Sequence, residues 1–584
     1  MIQRPFVAGL SCVLSLSLLL PPAAVAQDSS QSSATFTSNA ELVLVPVQVL
    51  DGGQPLRGLK QDNFVLLSDD KPQKIAIFEE VQRQPTIPHP GDLLRVSSTP
   101  PAPATTFSNV PAGGMPRESL VLAVDLVNTS PYLQRWTIQQ ILKYLHNTAS
   151  QIPTAIVAIT SFGLLEFQGF TTDNTDLINA ANKIGPHIGA ADFEHSPALH
   201  ISFTSPGTFA PTMAAIASTF GRDINYAASA VYTSLRSLDE IAWAYAGVPG
   251  RKTVVWFTSG FPVLEEYPEP PPLFGKAKGT MLEPSTSSRH FGKHLSPLYQ
   301  RTFTALSAAN VVLYPVDVTA FAEDRQWDIW ESLVQGVPCY GAIPMYTRYR
   351  GGWTSCASSG GGWLDRIGLK EIASATAGKY CDAGNHIDHC VNAAVAESAG
   401  YYLLGFYVPQ PGRQVGFHEL KVNVNVAHGE VRTRAGYYLS APGAPKVDRG
   451  LDMDRAINAA VEYTGLPFKV EPGTRPAGSN LPVVFKISFP PSSIVLVPGE
   501  DKLSFDVIAA PLSDHGTPLH DTARIVNIDI PPDKLNIALT KGWSLVDSVP
   551  VNNRAAAVKV VVRDNNTGKI GSVVIPVPGG GAAL

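Results

Sequence analysis

The middle of the chain alternates short apolar runs with stretches of helical periodicity. Apolar runs at 119–125, 252–258 and 311–316 predict buried strands, because each is bounded by residues that favour turns. Residues 132–150 repeat apolar side chains at helical spacing and predict a helix. Strands that alternate with helices are typical of a parallel sheet covered on both faces. The pattern therefore predicts an α/β fold with a doubly wound, mostly parallel sheet for residues 117–399.

The segments on either side of this α/β region predict strands. Alternating apolar positions occur in residues 27–82 and again in residues 400–440. Each group alone is too small to bury a good core, so we expect the two to pair in one β sandwich. Residues 480–584 predict a separate all-β sandwich. The proline-rich residues 83–116 and the residues 441–479 are expected to be linkers.

Composition narrows the class of protein. A chain of 584 residues is longer than one hydrophobic core supports, which favours several domains. Its formal net charge of −5 provides no basic surface for nucleic acid or for an anionic membrane. We therefore expect no nucleic-acid binding.

The first 26 residues carry the features of a secretory signal peptide. Arg4 precedes an apolar run from Phe6 to Leu20, and Ala24-Val25-Ala26 forms a cleavage site. The apolar run is shorter than the roughly 20 residues that span a bilayer. The sequence therefore predicts a secreted or periplasmic protein that is not inserted in a membrane after signal cleavage.

Removal of the signal leaves an even number of cysteines within a short part of the chain: Cys339, Cys356, Cys381 and Cys390. Two disulfides are the expectation for an exported protein. Of the possible pairings, short loops favour Cys339 with Cys356 and Cys381 with Cys390. A zinc site that also uses His386 and His389 is the weaker alternative, because His389 and Cys390 are adjacent and would point apart.

Polar residues follow the predicted parallel strands. The first strand ends at Asp125 and is followed by Asn128 and Thr129. Ser259 follows the strand at 252–258, and Asp317 follows the next one. Ligands of open parallel sheets bind at the carboxyl ends of the strands, so these five residues are the candidate site.

The same segments carry a resemblance to a known family. Leu120–Thr129, Pro249–Pro262, Ala308–Asp317 and Ala399–Tyr407 occur in the order found in the von Willebrand factor A domain. The chain resembles most closely the divergent, secreted acidobacterial branch related to that domain. Together with the segment Gly58–Phe64, these segments extend the resemblance over most of the mature chain. It implies a Rossmann-like fold and an adhesion or interaction role, with another protein as the partner.

The resemblance also implies a metal-ion-dependent adhesion site, here in a degenerate form. Asp125 and Thr129 match the first and last positions of the Asp-x-Ser-x-Ser motif, but Val127 replaces the first Ser. Ser259 stands where a later loop of the family carries Asp. The implied ligands for Mg²⁺ or Ca²⁺ are therefore Asp125, Thr129 and Ser259, with Asn128 and Asp317 as further loop candidates. The alternative is that Asp125 only caps or hydrogen-bonds its loop.

Enzyme motifs do not emerge from the sequence. It contains no Gly-x-Ser-x-Gly elbow, no His-Glu-x-x-His helix and no Walker loop. His195 and His200, with Asp192 and Glu194, lie in a segment typical of a solvated loop. We expect a non-catalytic binding or adhesion protein. The alternatives are a structural scaffold of the cell envelope and a hydrolase with its site in the insertions at 186–222 and 323–363.

Overall fold

The structure is a computed structural model. It describes residues 40–82, 106–109, 118–129, 131–148, 152–187, 222–260, 298–299, 301–319, 361–382, 386–409, 416–426, 428–439, 446–473, 482–494, 502–514, 516–519, 524–552 and 554–577. The predicted signal peptide, Cys339, Cys356 and the group around His195 lie outside the described residues. None of the helices within the described ranges is long and apolar enough to cross a membrane.

Strands outnumber helices in the described chain. The strands are β1 (Ala40–Asp51), β2 (Gln54–Pro55), β3 (Phe64–Ser68), β4 (Lys71–Gln73), β5 (Ile77–Gln82), β6 (Phe107–Ser108), β7 (Glu118–Asp125), β8 (Thr154–Thr160), β9 (Gly163–Thr171), β10 (Arg251–Thr258), β11 (Val311–Asp317), β12 (Cys381–Asp382), β13 (Gly400–Pro409), β14 (Gly416–Val424), β15 (Glu430–Thr433), β16 (Gly436–Leu439), β17 (Lys469–Pro472), β18 (Val483–Phe489), β19 (Leu503–Leu512), β20 (Arg524–Ile530), β21 (Trp543–Val549), β22 (Ala557–Asp564) and β23 (Ile570–Pro576). The α-helices are α1 (Pro131–Asn147), α2 (Asn174–Lys183), α3 (Arg222–Ala244), α4 (Gly361–Ala375), α5 (Ile387–Ser398), α6 (Lys446–Asn458) and α7 (Pro532–Lys541). Residues 301–308 are also helical.

The central sheet is mixed. Its strand order is β12-β11-β10-β7-β8-β9, and every neighbouring pair is parallel except β8 with β9. One face packs against α1, α2 and α5, with Phe257 in its core. The other face carries Trp256 and packs against α3 and α4. That second core continues into α6 and β22 through Met453 and Val561, so it joins the central sheet to the C-terminal β structure.

The predicted fold class, a doubly wound and mostly parallel sheet, is wrong. In the described part of the chain, four of the five sheets contain only antiparallel pairs, and the fifth is mixed. The physical reason is visible at the end of β8, where Ser161 and Phe162 lead directly into Gly163 at φ +108°. A turn this short joins only antiparallel strands, whereas a parallel pair needs a long crossover. The chain is dominated by antiparallel β structure.

The N-terminal strands form a β sandwich with strands that follow α5. β1 pairs antiparallel with β13, from Ala40 opposite Pro409 to Val47 opposite Tyr402. The two sheets are β15-β1-β13-β5, with β2 beside β1, and β16-β14-β3-β4. Alternate residues of β1 point into the core between the sheets, where Val45 and Val47 are fully buried. Residues from both ends of the central region therefore share one apolar core.

The C-terminal β structure has two antiparallel sheets, β21-β18-β17-β6 and β20-β19-β22-β23, around a core that includes Phe485 and Phe505. β6 comes from the predicted linker 83–116, and α6 and β17 come from the predicted linker 441–479. Asn109 fixes β6 in place, because its amide donates to the carbonyls of Tyr463 and Leu466. These segments are thus structured where described.

Candidate functional site

The candidate residues meet at the carboxyl ends of three neighbouring strands. β7 ends at Asp125 beside β10, which ends at Thr258, and Thr258 lies in register with Asp317 of β11. The amide of Val318 donates to the carbonyl oxygen of Thr258 at 3.1 Å, which links the loops that follow β10 and β11. Because the strands run parallel, their last residues form one continuous edge, which we call the carboxyl edge.

Asp125 is the centre of this edge. Its carboxylate is fully buried, and Oδ1 accepts hydrogen bonds from the backbone amides of Val127 and Asn128, each at 2.9 Å. Oδ2 accepts from the Asn128 amide nitrogen at 2.8 Å. The hydroxyl of Thr258 lies 3.0 Å from Oδ2 and 3.1 Å from the carbonyl oxygen of Gly260, so its single hydrogen is shared. Asp125 therefore holds its own loop and the end of β10.

The electrostatics of Asp125 follow from its burial. Burial raises the pKa of the carboxyl above its ordinary value, and the hydrogen bonds from Asn128, Val127 and Thr258 oppose that shift. A carboxylate offers about four acceptor positions. Within the described residues, three N–H groups and the shared Thr258 hydroxyl point at these positions, so Asp125 is bonded to its own loop and to the end of β10.

Thr129 and Ser259 also lie at the carboxyl edge and contact each other. The backbone amide of Ser259 donates to the Thr129 hydroxyl oxygen at 3.2 Å. The Ser259 hydroxyl itself is buried and makes no hydrogen bond within the described residues. The side-chain amide of Gln134, in α1, donates hydrogen bonds to the carbonyl oxygens of Leu126 and Thr129, at 2.9 and 2.6 Å. Residues 126–129, which follow β7, are therefore held by hydrogen bonds.

Asp317 is bonded separately from Asp125. Its Oδ1 accepts from the amide and the hydroxyl of Thr319, at 2.8 and 2.6 Å. Its Oδ2 accepts from the Tyr380 hydroxyl at 3.0 Å. Asp317 thus ties the loop after β11 to the segment that leads into β12.

The cysteine prediction is confirmed for the pair that the structure describes. Cys381 and Cys390 form a disulfide, which connects β12 to α5. The bond uses both sulfurs that the alternative zinc site would need. Across the described ranges, no group of three or more His, Cys, Asp and Glu side chains is placed to hold a metal ion.

Sequence reasoning missed three side chains at this edge. Thr258 contacts Asp125, Ser234 of α3 lies 2.6 Å from the Asn128 amide nitrogen, and Tyr380 contacts Asp317. Thr258 could have been found from its position, because it is the last residue of a predicted strand. Ser234 and Tyr380 carry no local signal, since each contact spans a long stretch of chain.

Comparison with known proteins adds no identification. No protein-family model matches the chain, and no curated protein matches it. The resemblance to the von Willebrand factor A domain stays a prediction that depends on the sequence segments alone.

Proposed function

We propose that this protein is an exported, non-catalytic binding protein whose partner, another protein, docks on the carboxyl edge. The hydrogen-bonded state of Asp125 carries the proposal. A buried carboxylate that accepts N–H and O–H groups from its own loop and from β10 organises those segments. The edge is accordingly a fixed platform for recognition.

The described loops at this edge support the proposal. Residues 126–129, 259–260 and 318–319 follow the ends of β7, β10 and β11 and are held there by hydrogen bonds. Binding residues concentrate on loops that a rigid scaffold positions. The β sandwiches on either side would act as spacers that present this edge.

The donor set does not fit a hard cation as it is arranged. Coordination by Asp125 would require the loss of one of its bonds to Val127, Asn128 or Thr258. The Thr129 hydroxyl already accepts a hydrogen bond from the Ser259 amide, and of the three implied ligands only the Ser259 hydroxyl has no hydrogen bond within the described residues. Mg²⁺ and Ca²⁺ need several oxygen ligands at once, and Val127 supplies none from its side chain. We therefore propose binding that does not require a cation.

Capture with matched variants tests the proposal. The mature chain, immobilised as bait, is exposed to extracytoplasmic proteins of its own cells, and chemical crosslinking with mass spectrometry identifies what is retained. Asn128→Ala removes an amide that holds the carboxyl edge, whereas Asn566→Ala removes a comparable half-buried amide in the C-terminal β structure, bonded to the Lys502 carbonyl.

The proposal predicts a partner that the wild type and Asn566→Ala retain equally and that Asn128→Ala retains about tenfold less, a change of about 1.4 kcal/mol. Equal retention by all three proteins would place the binding surface elsewhere.

A further inference from the structure

The disulfide Cys381–Cys390 lies directly beside the carboxyl edge. β12 contains only Cys381 and Asp382, and it pairs with β11 at Val316 and Asp317 alone. A two-residue strand contributes few backbone hydrogen bonds, so pairing by itself holds it weakly. The covalent bond to Cys390 is therefore a principal restraint on this strand.

Cys390 lies in a well-packed part of the structure. It belongs to α5, is 4% exposed, and lies in the apolar core that also contains residues of α1 and of the central sheet. Cys381, in contrast, is only partly buried, at the outer edge of the sheet. The disulfide thus ties a strand at the margin of the sheet to a helix fixed in its core.

Tyr380 transmits this restraint to the edge. It directly precedes Cys381, and its hydroxyl donates to Asp317 Oδ2 at 3.0 Å. The ammonium of Lys370 lies 5.3 Å from the centre of its ring. On the amino-terminal side of Tyr380, the backbone of Gly378 packs closely against β11. A Cβ added at Gly378 would lie only 1.8 Å from the carbonyl oxygen of Leu313. Tyr380 therefore sits between two restraints, a close backbone approach and the disulfide.

We propose that the Cys381–Cys390 disulfide is a covalent clamp that holds Tyr380 on Asp317 and so maintains the order of the loop after β11, a clamp that only reduction opens. A dithiol supplies two electrons and two protons that convert the Sγ–Sγ bond to two thiols, and the dithiol becomes a disulfide. The clamp then opens, and the hydrogen bond from Tyr380 to Asp317 is weakened. The proposal deepens the proposed function because it concerns the same edge.

Hydrogen exchange of the free protein tests the clamp without any partner, so its failure is distinguishable from failure of the proposed function. The amides of Val318 and Thr319 report directly, since they donate to the Thr258 carbonyl and to Asp317 Oδ1. The test variant is Cys381→Ser with Cys390→Ser. The matched control is Cys339→Ser with Cys356→Ser, which removes the other predicted disulfide.

We expect exchange at these amides to be about tenfold faster in the test variant and unchanged in the control. The loop that the Cys381–Cys390 bond closes is short, and its loss sets an upper bound on the order of a hundredfold for the increase in exchange rate. Tyr380→Phe, which keeps the disulfide, should reproduce part of the increase. If the test variant does not fold, reduction of the folded wild type with dithiothreitol followed by alkylation makes the same measurement. Unchanged exchange in both the reduced protein and Tyr380→Phe would overturn the proposal.

Discussion

Replacement of Asp125 by Ala tests the role of the buried carboxylate in organising the carboxyl edge. The change removes the acceptor of three N–H groups, those of the Val127 backbone and of the Asn128 backbone and side chain. Thr258 keeps an acceptor, the carbonyl oxygen of Gly260. Each buried donor that loses its partner costs about 1–3 kcal/mol. Two effects offset part of this cost, because the variant no longer buries a carboxylate and because water can reach the freed donors. We therefore expect the unfolding free energy to fall by about 3–5 kcal/mol.

Urea unfolding followed by tryptophan fluorescence measures the loss, and hydrogen exchange locates it. Asp564→Ala is the matched control, because the Asp564 carboxylate is also buried and accepts from the amides of Asn566 and Thr567 and from the Thr567 hydroxyl. Asp564→Ala should speed hydrogen exchange only in the hairpin formed by β22 and β23. A change below about 0.5 kcal/mol for Asp125→Ala, or unchanged exchange at residues 126–129, would refute the reasoning.

Three further predictions concern the rest of the fold. Arg432→Met leaves the buried Glu397 without the guanidinium that lies 2.6 Å away, and it should cost about 3–5 kcal/mol of unfolding free energy by urea titration. Burial lowers the pKa of Lys252 to about 7, so the unfolded chain binds more protons above that pH. Stability should therefore rise by up to about 1.4 kcal/mol per unit between about pH 7 and about pH 10, and Lys252→Met should flatten this rise in the same titration. Gly247→Ala would place a Cβ 1.9 Å from the carbonyl oxygen of Thr464, so it should lower the thermal unfolding midpoint, and an unchanged midpoint would contradict that close approach.

The sequence is most informative where one element carries its own signal. The apolar runs that predicted β7, β10 and β11 lie within one residue of the observed strands, because a strand buried on both faces carries a nearly continuous apolar run at its centre. Strand pairing has no such signal. β1 pairs with β13 more than 300 residues later, and the register of that pairing leaves no trace in local patterns. The predicted fold class failed because the central sheet contains the antiparallel pair β8–β9 and the other described sheets contain only antiparallel pairs.

Two helices also escaped prediction for identifiable reasons. α6 buries Met453, Ala456 and Ile457 at helical spacing, but it is otherwise rich in charged residues and begins within a segment of proline and glycine. α7 begins after Pro531 with a proline in its first turn and ends before Gly542, which are recognisable boundaries. The alternation of the neighbouring strands concealed them.

At the candidate site the sequence identified positions but not bonding. Asp125, Asn128, Thr129, Ser259 and Asp317 lie along one edge, as the rule for parallel strands suggests. Whether Asp125 is free or saturated depends on Thr258, 133 positions away along the chain. Such a contact exists only after folding, so the ligand role of these residues could not be settled from their types alone.

Calorimetric titration of the mature chain with Mg²⁺, Ca²⁺ and Mn²⁺, repeated on Asp125→Ala, tests the central claim most directly. The claim is that hydrogen bonds, and not a cation, organise the carboxyl edge. We predict no saturable heat that depends on Asp125. Saturable binding by the wild type that disappears in Asp125→Ala would show that the carboxylate gives up its donors to a metal ion, and it would contradict the account.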